Sequence, residues 1–446
     1  MSPLKIAVIG SGISGLSSAW LLSKHHGVTV FEADTRLGGH VNTVECLSPE
    51  GTFAVDTGFI VYNSSAYPNL VALLSHLNVG TVETTMGFGV SLDGGRYEYA
   101  GSGIGQIIGG AANAADPGHW QMLRDLWRFY RTAPQRAGVL SEEATLGDFV
   151  RAEGYSDAFL KRHLLPLAAA IWSAAPGDMM DYPARAFLRF FDNHGLLKFT
   201  SRPKWRTIAG GSRQYVRKLV AGSRLQTRMG APVVRVERDA ERVTITTRSG
   251  QVETFDHLVI ATHADQALAM LADPTPAERR CLSAFRYSHN RAVLHRDPSL
   301  MPRRRRLWSS WNYLAASSSG GCAVTYWMNS LQPLATNTNY FVTLNPHQEP
   351  AAGTIEGEFN YAHPVFSPEA LRQQRFLWEL QGQKRTWFCG AHFGSGFHED
   401  GLQAGLAVAE QLGGVSRPWT VDNPSSRIHV IPRASSSGAE SLVAAA

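Results

Sequence analysis

Lys5-Ile-Ala-Val-Ile-Gly10-Ser-Gly12-Ile-Ser-Gly15-Leu16, continued by Val28-Thr-Val-Phe-Glu32, is the stretch that decides how this 446-residue chain folds. A short apolar run predicts a buried strand, a Gly-x-Gly-x-x-Gly turn leads into a helix-forming segment, and a second apolar run ends in an acid. Together they specify a βαβ unit of the dinucleotide-binding kind. Gly10 permits the tight turn, Gly12 lets a pyrophosphate approach bare backbone, and Gly15 lets the helix lie close to the strand. The unpaired N–H groups at the helix start, around Ile13 and Ser14, face the phosphates together with the positive end of the helix dipole. Glu32 ends the second strand, where a carboxylate accepts both hydroxyls of an adenosine ribose. A 2′-phosphate would be repelled there, which disfavours NADP.

The bulk properties narrow the class further. With 44% hydrophobic and 18% charged residues the chain can bury a large core, and its length suits two intertwined domains. A net charge of +5 is mildly basic, and no zinc-type cysteine pairs, RNP-like aromatic motif or long basic stripe points to nucleic acid. Cys46, Cys281, Cys322 and Cys389 are too scattered for a metal site or a disulfide framework, so no metal is expected and a reducing cytoplasm is the simplest setting. The apolar N-terminus reads as the first strand rather than a cleaved signal. No run of eighteen or more apolar residues is present, so any membrane contact is expected to be peripheral.

Beyond the first unit, Tyr67-Pro68 opens a helix, and residues 83–100 alternate as a hairpin turning at Asp93-Gly94-Gly95. Residues 101–118 read as a loop or weak helix, and 119–200 as mainly helical, with an amphipathic face over Trp120–Tyr130. Two strands follow around Pro232–Glu237 and Arg242–Thr247, and Phe255–Ile260 reads as one further buried strand. Residues 284–365 alternate strands with turns. Near the end, Thr386-Trp-Phe-Cys389-Gly390-Ala-His392 and Phe397-His398-Glu399-Asp400-Gly401-Leu402 run into a helix.

The segment after Glu32, Ala33-Asp-Thr-Arg36-Leu-Gly38-Gly39-His40, and the later Asp56-Thr57-Gly58-Phe59 resemble the flavin-containing amine oxidase superfamily, whose members include phytoene desaturases and protoporphyrinogen oxidases. That resemblance implies non-covalently bound FAD, with Arg36, Gly38, Gly39, His40, Thr57, Gly58 and Phe59 along the pyrophosphate and flavin. It also implies that the backbone at Val234 meets the adenine and that Ala261 packs beside the dinucleotide. The strand, glycine loop and helix of Gly390, Asp400, Gly401 and Leu402 supply a second helix N-terminus, aimed at the end of the ring where negative charge gathers on reduction. Asp400 is read either as a cofactor contact or as an N-terminal helix acid. One departure stands out: Cys389-Gly390-Ala391-His392 lacks the carboxylate that relatives carry for the ribityl hydroxyls. The expected fold is therefore α/β. A Rossmann-like FAD-binding domain of the amine oxidase type would be built from 1–82, 205–275 and 375–421. An interleaved α+β substrate domain would occupy 83–204 and 276–374, and a flexible tail 422–446.

A bacterial branch of the superfamily, described by its inferred FAD binding alone, is similar over most of the chain. The matching landmarks include Leu164–Ser173, Phe190–Leu197, Trp205–Tyr215 and Phe397–Gly401. This branch is associated with acyl-chain modification beside methyltransferases of the cyclopropane fatty acid synthase type, including routes to methylated and furan fatty acids. The resemblance implies an acyl-chain desaturase acting by hydride transfer to flavin N5, on a free or phospholipid-bound chain, with such methyltransferases as functional partners. Amine oxidation, double-bond isomerisation and non-catalytic lipid binding are the alternatives. Ile171, Trp172, Phe190, Phe191, Trp308, Trp311, Tyr313, Trp327, Phe393 and Phe397 are candidates for an apolar slot. His194, His398 and Glu399 are candidate bases, although flavin dehydrogenation can dispense with one. Arg303-Arg304-Arg305-Arg306, beside Trp308 and Trp311, reads as a docking patch for an anionic membrane.

Overall fold

The computed structural model of the chain describes residues 2–101, 103–141, 143–172, 177–197, 203–315 and 322–432. Ser173 and the tail from 433 onward lie outside the described residues. The first unit forms β1 (Lys5–Ile9), α1 (Ile13–Leu22) and β2 (Gly27–Phe31). Three later segments join it: β3 (Leu225–Arg228), β4 (His257–Ile260) and β5 (Thr386–Phe388). All pairings are parallel, in the order β3-β2-β1-β4-β5. Ile6, Ala7, Val8, Leu258 and Val259 are fully buried, as continuous apolar strands covered on both faces must be.

The expected single strand over Phe255–Ile260 is in fact two. Val252–Phe255 closes a three-stranded antiparallel sheet with Val233–Arg238 and Val243–Thr247, while His257–Ile260 enters the parallel sheet. Asp256 makes the break. Its N–H donates to the Lys5 carbonyl at 2.8 Å and its carboxylate accepts the Lys5 N–H at 2.7 Å. A side chain tied to a strand 251 residues away redirects the chain where periodicity alone shows no interruption.

Between β2 and β3 the chain builds α2 (Pro68–His76), the short helices α3 (Ile104–Ile108) and α4 (Ala111–Ala114), α5 (Pro117–Arg136) and α6 (Ala184–Asn193). A seven-stranded sheet stands beside these helices. It runs in the order Ile355–Val365, Arg286–His295, Phe341–Leu344, Cys322–Trp327, Trp311–Ala315, Phe88–Leu92 and Tyr97–Ala100. The last long helix, α7 (His398–Gly413), returns to the parallel sheet and crosses α1. A Cβ on Gly405 would collide with the Ser14 carbonyl oxygen, so two glycine-bearing helices meet backbone to backbone. Over 422–432 the expectation of a flexible tail is corrected. Arg427 is enclosed and Ile428 buried, because this segment lies against α2 and the start of α7.

Candidate active site

The turn after β1 separates two kinds of glycine. Gly10 has φ +96°, and a Cβ there would sit 2.9 Å from the Ala261 carbonyl oxygen; a Cβ on Gly15 would collide with the Gly10 carbonyl. Packing alone demands both. A Cβ on Gly12 would meet no atom within 4 Å. Nothing in the protein's own packing requires Gly12, whereas a ligand lying on the turn does. Gly39 closes over it, its φ of +57° placing a hypothetical Cβ 3.1 Å from the Gly12 Cα. The Gly38 N–H donates to Ser11, and Glu32 accepts the Ser11 N–H at 2.9 Å and the Ser11 hydroxyl at 2.5 Å. Glu32 is thereby held at the mouth of the glycine turn. Arg36 donates to the Val41 carbonyl at 3.0 Å, Ala33 is exposed, and Val234 is exposed on the neighbouring antiparallel sheet. Ala261 is placed against Gly10 and Gly15.

The far end of the sequence completes this face. A Cβ on Gly401 would lie 2.7 Å from the Ser14 hydroxyl and 3.0 Å from Ile13, so the first turns of α1 and α7 touch. Leu402 is fully buried behind that contact, and Gly390 leaves room for the His392 ring. The Thr57 N–H donates to the Asn42 carbonyl and its hydroxyl meets Tyr361 Oη at 2.7 Å, while Phe59 N–H and the bare Gly58 both lie against the His40 carbonyl. Phe59 stacks on His398 at 3.9 Å between centroids, and His398 Nε2 meets Tyr215 Oη at 2.7 Å. His40 lies between Tyr361 and His363, with its Nε2 buried and without a partner among the described residues. Such an orphaned nitrogen is the kind of group a bound polar ligand satisfies. Burial holds His398 and His392 down at about 3 and His363 at about 4, and it lowers His40 well below the ordinary value with help from the neighbouring His363. These imidazoles are neutral at ordinary pH. Beneath them, Asp56 accepts Ser212, Thr43 and Gln332 and is pushed up to about 6 by burial.

Of the candidate bases, Glu399 is taken up by structural hydrogen bonds. Glu399 is buried and fully engaged. It accepts the Asn69 N–H at 3.0 Å, the Asn69 amide at 2.9 Å, the Leu70 N–H at 3.0 Å and the Gln403 amide at 3.0 Å. It is the anion at the N-terminus of α2, which has no side-chain cap of its own. The Asp400 carboxylate takes the Ser395 and Phe397 N–H groups and pairs with Arg427 at 2.5 Å, so this helix acid braces the loop before α7. Arg427 was hidden because Ser- and Ala-rich composition marks its surroundings as tail. His194 and His398 lie among different partners, His398 between Phe59 and Tyr215 and His194 against Phe190 and Phe397. His194 stacks on Phe190 at 3.9 Å and lies 5.5 Å from Phe397; its Nδ1 meets the Phe190 carbonyl, its Nε2 is buried and unpartnered, and burial holds it at about 3.

The apolar candidates divide. Phe190 stacks on Phe397 at 4.6 Å and packs on Trp172 at 4.8 Å, forming a wall next to His194. Phe191 and Phe393 belong to the core, while Trp308 pairs with Trp327 and Trp311 lies beside Phe88 and Tyr326 in the seven-stranded sheet.

The family model of flavin-containing amine oxidoreductases matches residues 13–294, more than half of the chain. The chain belongs to that family. A Mycobacterium tuberculosis relative, AofH, provisionally named a flavin-containing monoamine oxidase, is 24% identical over 293 residues, which is 62% of this chain. The chain spans 61% of that relative's length. Among solved structures, a CLA-producing fatty acid isomerase from P. acnes superposes with a TM-score of 0.64 at 14% identity, covering 92% of this chain and 98% of the other. Cyclohexylamine oxidase from Brevibacterium oxydans IH-35A gives 0.62 at 15% identity, covering 92% and 99%. These likenesses establish the fold of the flavoprotein family across both ends of the chain. The family is one of flavin-containing oxidoreductases, and the residues of this chain suit a flavin dinucleotide. Bare backbone at Gly12, the adjoining starts of α1 and α7, Glu32 at the turn and an orphaned His40 nitrogen form one continuous face.

Proposed function

We propose that this family member removes two hydrogens from a fatty acyl chain, leaving a carbon–carbon double bond. The observation that carries this reading is the wall of Phe397, Phe190 and Trp172 beside His194, in which burial keeps the imidazole neutral. An amine would enter as a cation and seek a carboxylate. Glu399 and Asp400, which follow Phe397 and His398 in sequence, are already committed to α2 and to Arg427. FAD, when bound, supplies a two-electron acceptor for the hydride. The chain's own residues bind and orient an apolar substrate, exclude water, and offer the unprotonated nitrogens of His194 and His398 to the departing proton. Acyl-chain methyltransferases are the partners this reading expects to act on the same lipid.

Amine oxidation is the second reading, favoured by the family itself. Anaerobic mixing of the FAD-loaded protein with an unsaturated acyl phospholipid, and separately with benzylamine, separates the two. Bleaching by the lipid alone is expected, with a product two hydrogens lighter by mass spectrometry. Bleaching by the amine alone would overturn the proposal, and a lipid product of unchanged mass would replace desaturation by isomerisation.

A further inference from the structure

The outer face of α5 is unusual for a helix whose inner face is already filled. His119, Met122, Asp125, Phe129 and Ala133 point inward and are buried. Trp120, Arg124, Trp127 and Arg131 recur at three- and four-residue spacing and therefore share one outward stripe. Trp120 is 50% exposed and Trp127 53%. Two indoles left in water on one stripe, interleaved with arginines, are not explained by packing.

The stripe continues into a larger surface. The Trp120 indole N–H donates to the Ala114 carbonyl at 2.8 Å, tying α5 to the end of α4. Gln106 of α3 donates to the Arg306 carbonyl at 2.9 Å, and Arg306 donates to the Gly109 carbonyl, tying α3 to the arginine loop. On α3, Ile104 is 82% exposed. Arg303, Arg305 and Arg306 are exposed alongside. Acids on these elements are largely neutralised: Asp116 pairs with Arg162, Asp125 lies between Arg124 and Arg128, and Glu98 is buried beneath the loop, leaving Asp93 exposed at the edge next to Arg96.

We propose that this face docks on the anionic surface of a phospholipid bilayer, with Trp120, Trp127 and Ile104 entering the headgroup layer and the arginines meeting phosphates. Apolar insertion and a polybasic patch together give the two attachments that stable peripheral binding needs. Indoles prefer that depth because one side of the ring system is apolar and its N–H is polar. A nucleic acid would require open rings for base stacking, but the Arg131 guanidinium already covers Trp127 at 4.5 Å. The anchoring tryptophans are not those beside the arginines in sequence. Trp311 is buried, and Trp308 is half-buried with its N–H held by the Pro302 carbonyl. One helix separates this face from the aromatic wall: Phe129 on the inner side of α5 meets Phe191, the neighbour of Phe190.

The test is sedimentation of the full-length, FAD-loaded protein with phosphatidylcholine vesicles containing or lacking phosphatidylglycerol. Recovery with the anionic vesicles is expected to exceed recovery with the neutral ones by about tenfold and to fall as salt rises. W120S/W127S and R303S/R305S/R306S should each abolish most of that gain, with flavin absorbance unchanged and the far-ultraviolet circular dichroism of the folded protein retained at the assay temperature. A wild-type protein that stays in the supernatant, or variants recovered as well as wild type, would overturn the proposal. So would a W120S/W127S variant that splits a homodimer on gel filtration without changing vesicle recovery, since the face would then be a self-interface. No turnover is measured, so failure here and failure of the acyl-chain reading are separate results.

Discussion

Gly12 and Gly15 are identical residues three positions apart, and the structure assigns them opposite duties. Because a Cβ on Gly15 collides with the Gly10 carbonyl, Gly15→Ala should destabilise even the FAD-free protein by about 1–3 kcal/mol, read as a shift in the denaturation midpoint. Gly12→Ala meets open space, so its unfolding free energy should move by no more than about 0.5 kcal/mol while FAD affinity falls at least about tenfold, measured by flavin fluorescence titration. Equal stability losses in the two variants would remove the distinction. This part of the site was legible in the sequence because the turn itself joins neighbours, with Gly15 packed on the Gly10 carbonyl and Ser11 tied to Glu32 at the end of the next strand. Partners across the fold were not legible. Tyr215 on His398 and Tyr361 on Thr57 are brought in by sheet and helix packing, and no spacing rule connects them.

Helices carry the next lesson, because Glu399 was read as a base and serves instead as the anion at the start of α2. Glu399→Gln puts an amide donor among the Asn69 and Leu70 donors, which should cost about 1–3 kcal/mol in unfolding experiments. Turnover per bound flavin should change by less than about twofold, whereas loss of a true general base costs about 100-fold or more. Retained stability with lost turnover would reverse the assignment. The sequence marked the segment as distinctive, and α7 does begin there, but it could not show where the carboxylate points. The break at Asp256 has the same origin: β4 is set by a partner strand near the N-terminus, while the apolar pattern of Phe255–Ile260 runs on unbroken. The short helices α3 and α4 fell within a glycine- and alanine-rich stretch that carries little helical signal on its own.

At the level of the whole molecule, the closing segment matters as much as the opening one. Arg427→Ala leaves Asp400 buried without its cation and should cost about 3–5 kcal/mol, and removal of residues 422–446 should cost at least as much, both visible as lowered melting temperatures. Acid should act through the buried histidines. In the folded chain His194, His392 and His398 are held at about 3 and His363 at about 4, against an ordinary value of 6.5. The unfolded chain binds these protons between pH 6.5 and about 3 and the folded chain does not, so stability is present above that window and is lost as pH falls through it. Asp56, raised to about 6, and the raised Glu399 and Asp400 work the opposite way. The histidines outnumber them, so the melting temperature should be lower at pH 5 than at pH 7.5, and an unchanged or higher value would contradict this balance. The crossing of α1 and α7 also has a consequence for biosynthesis. A ribosome makes the glycine turn long before it makes α7 and Arg427. Until α7 has been made, the turn at α1 lacks the helix that Gly401 and Gly405 bring against it, so a product ending short of α7 should be released colourless.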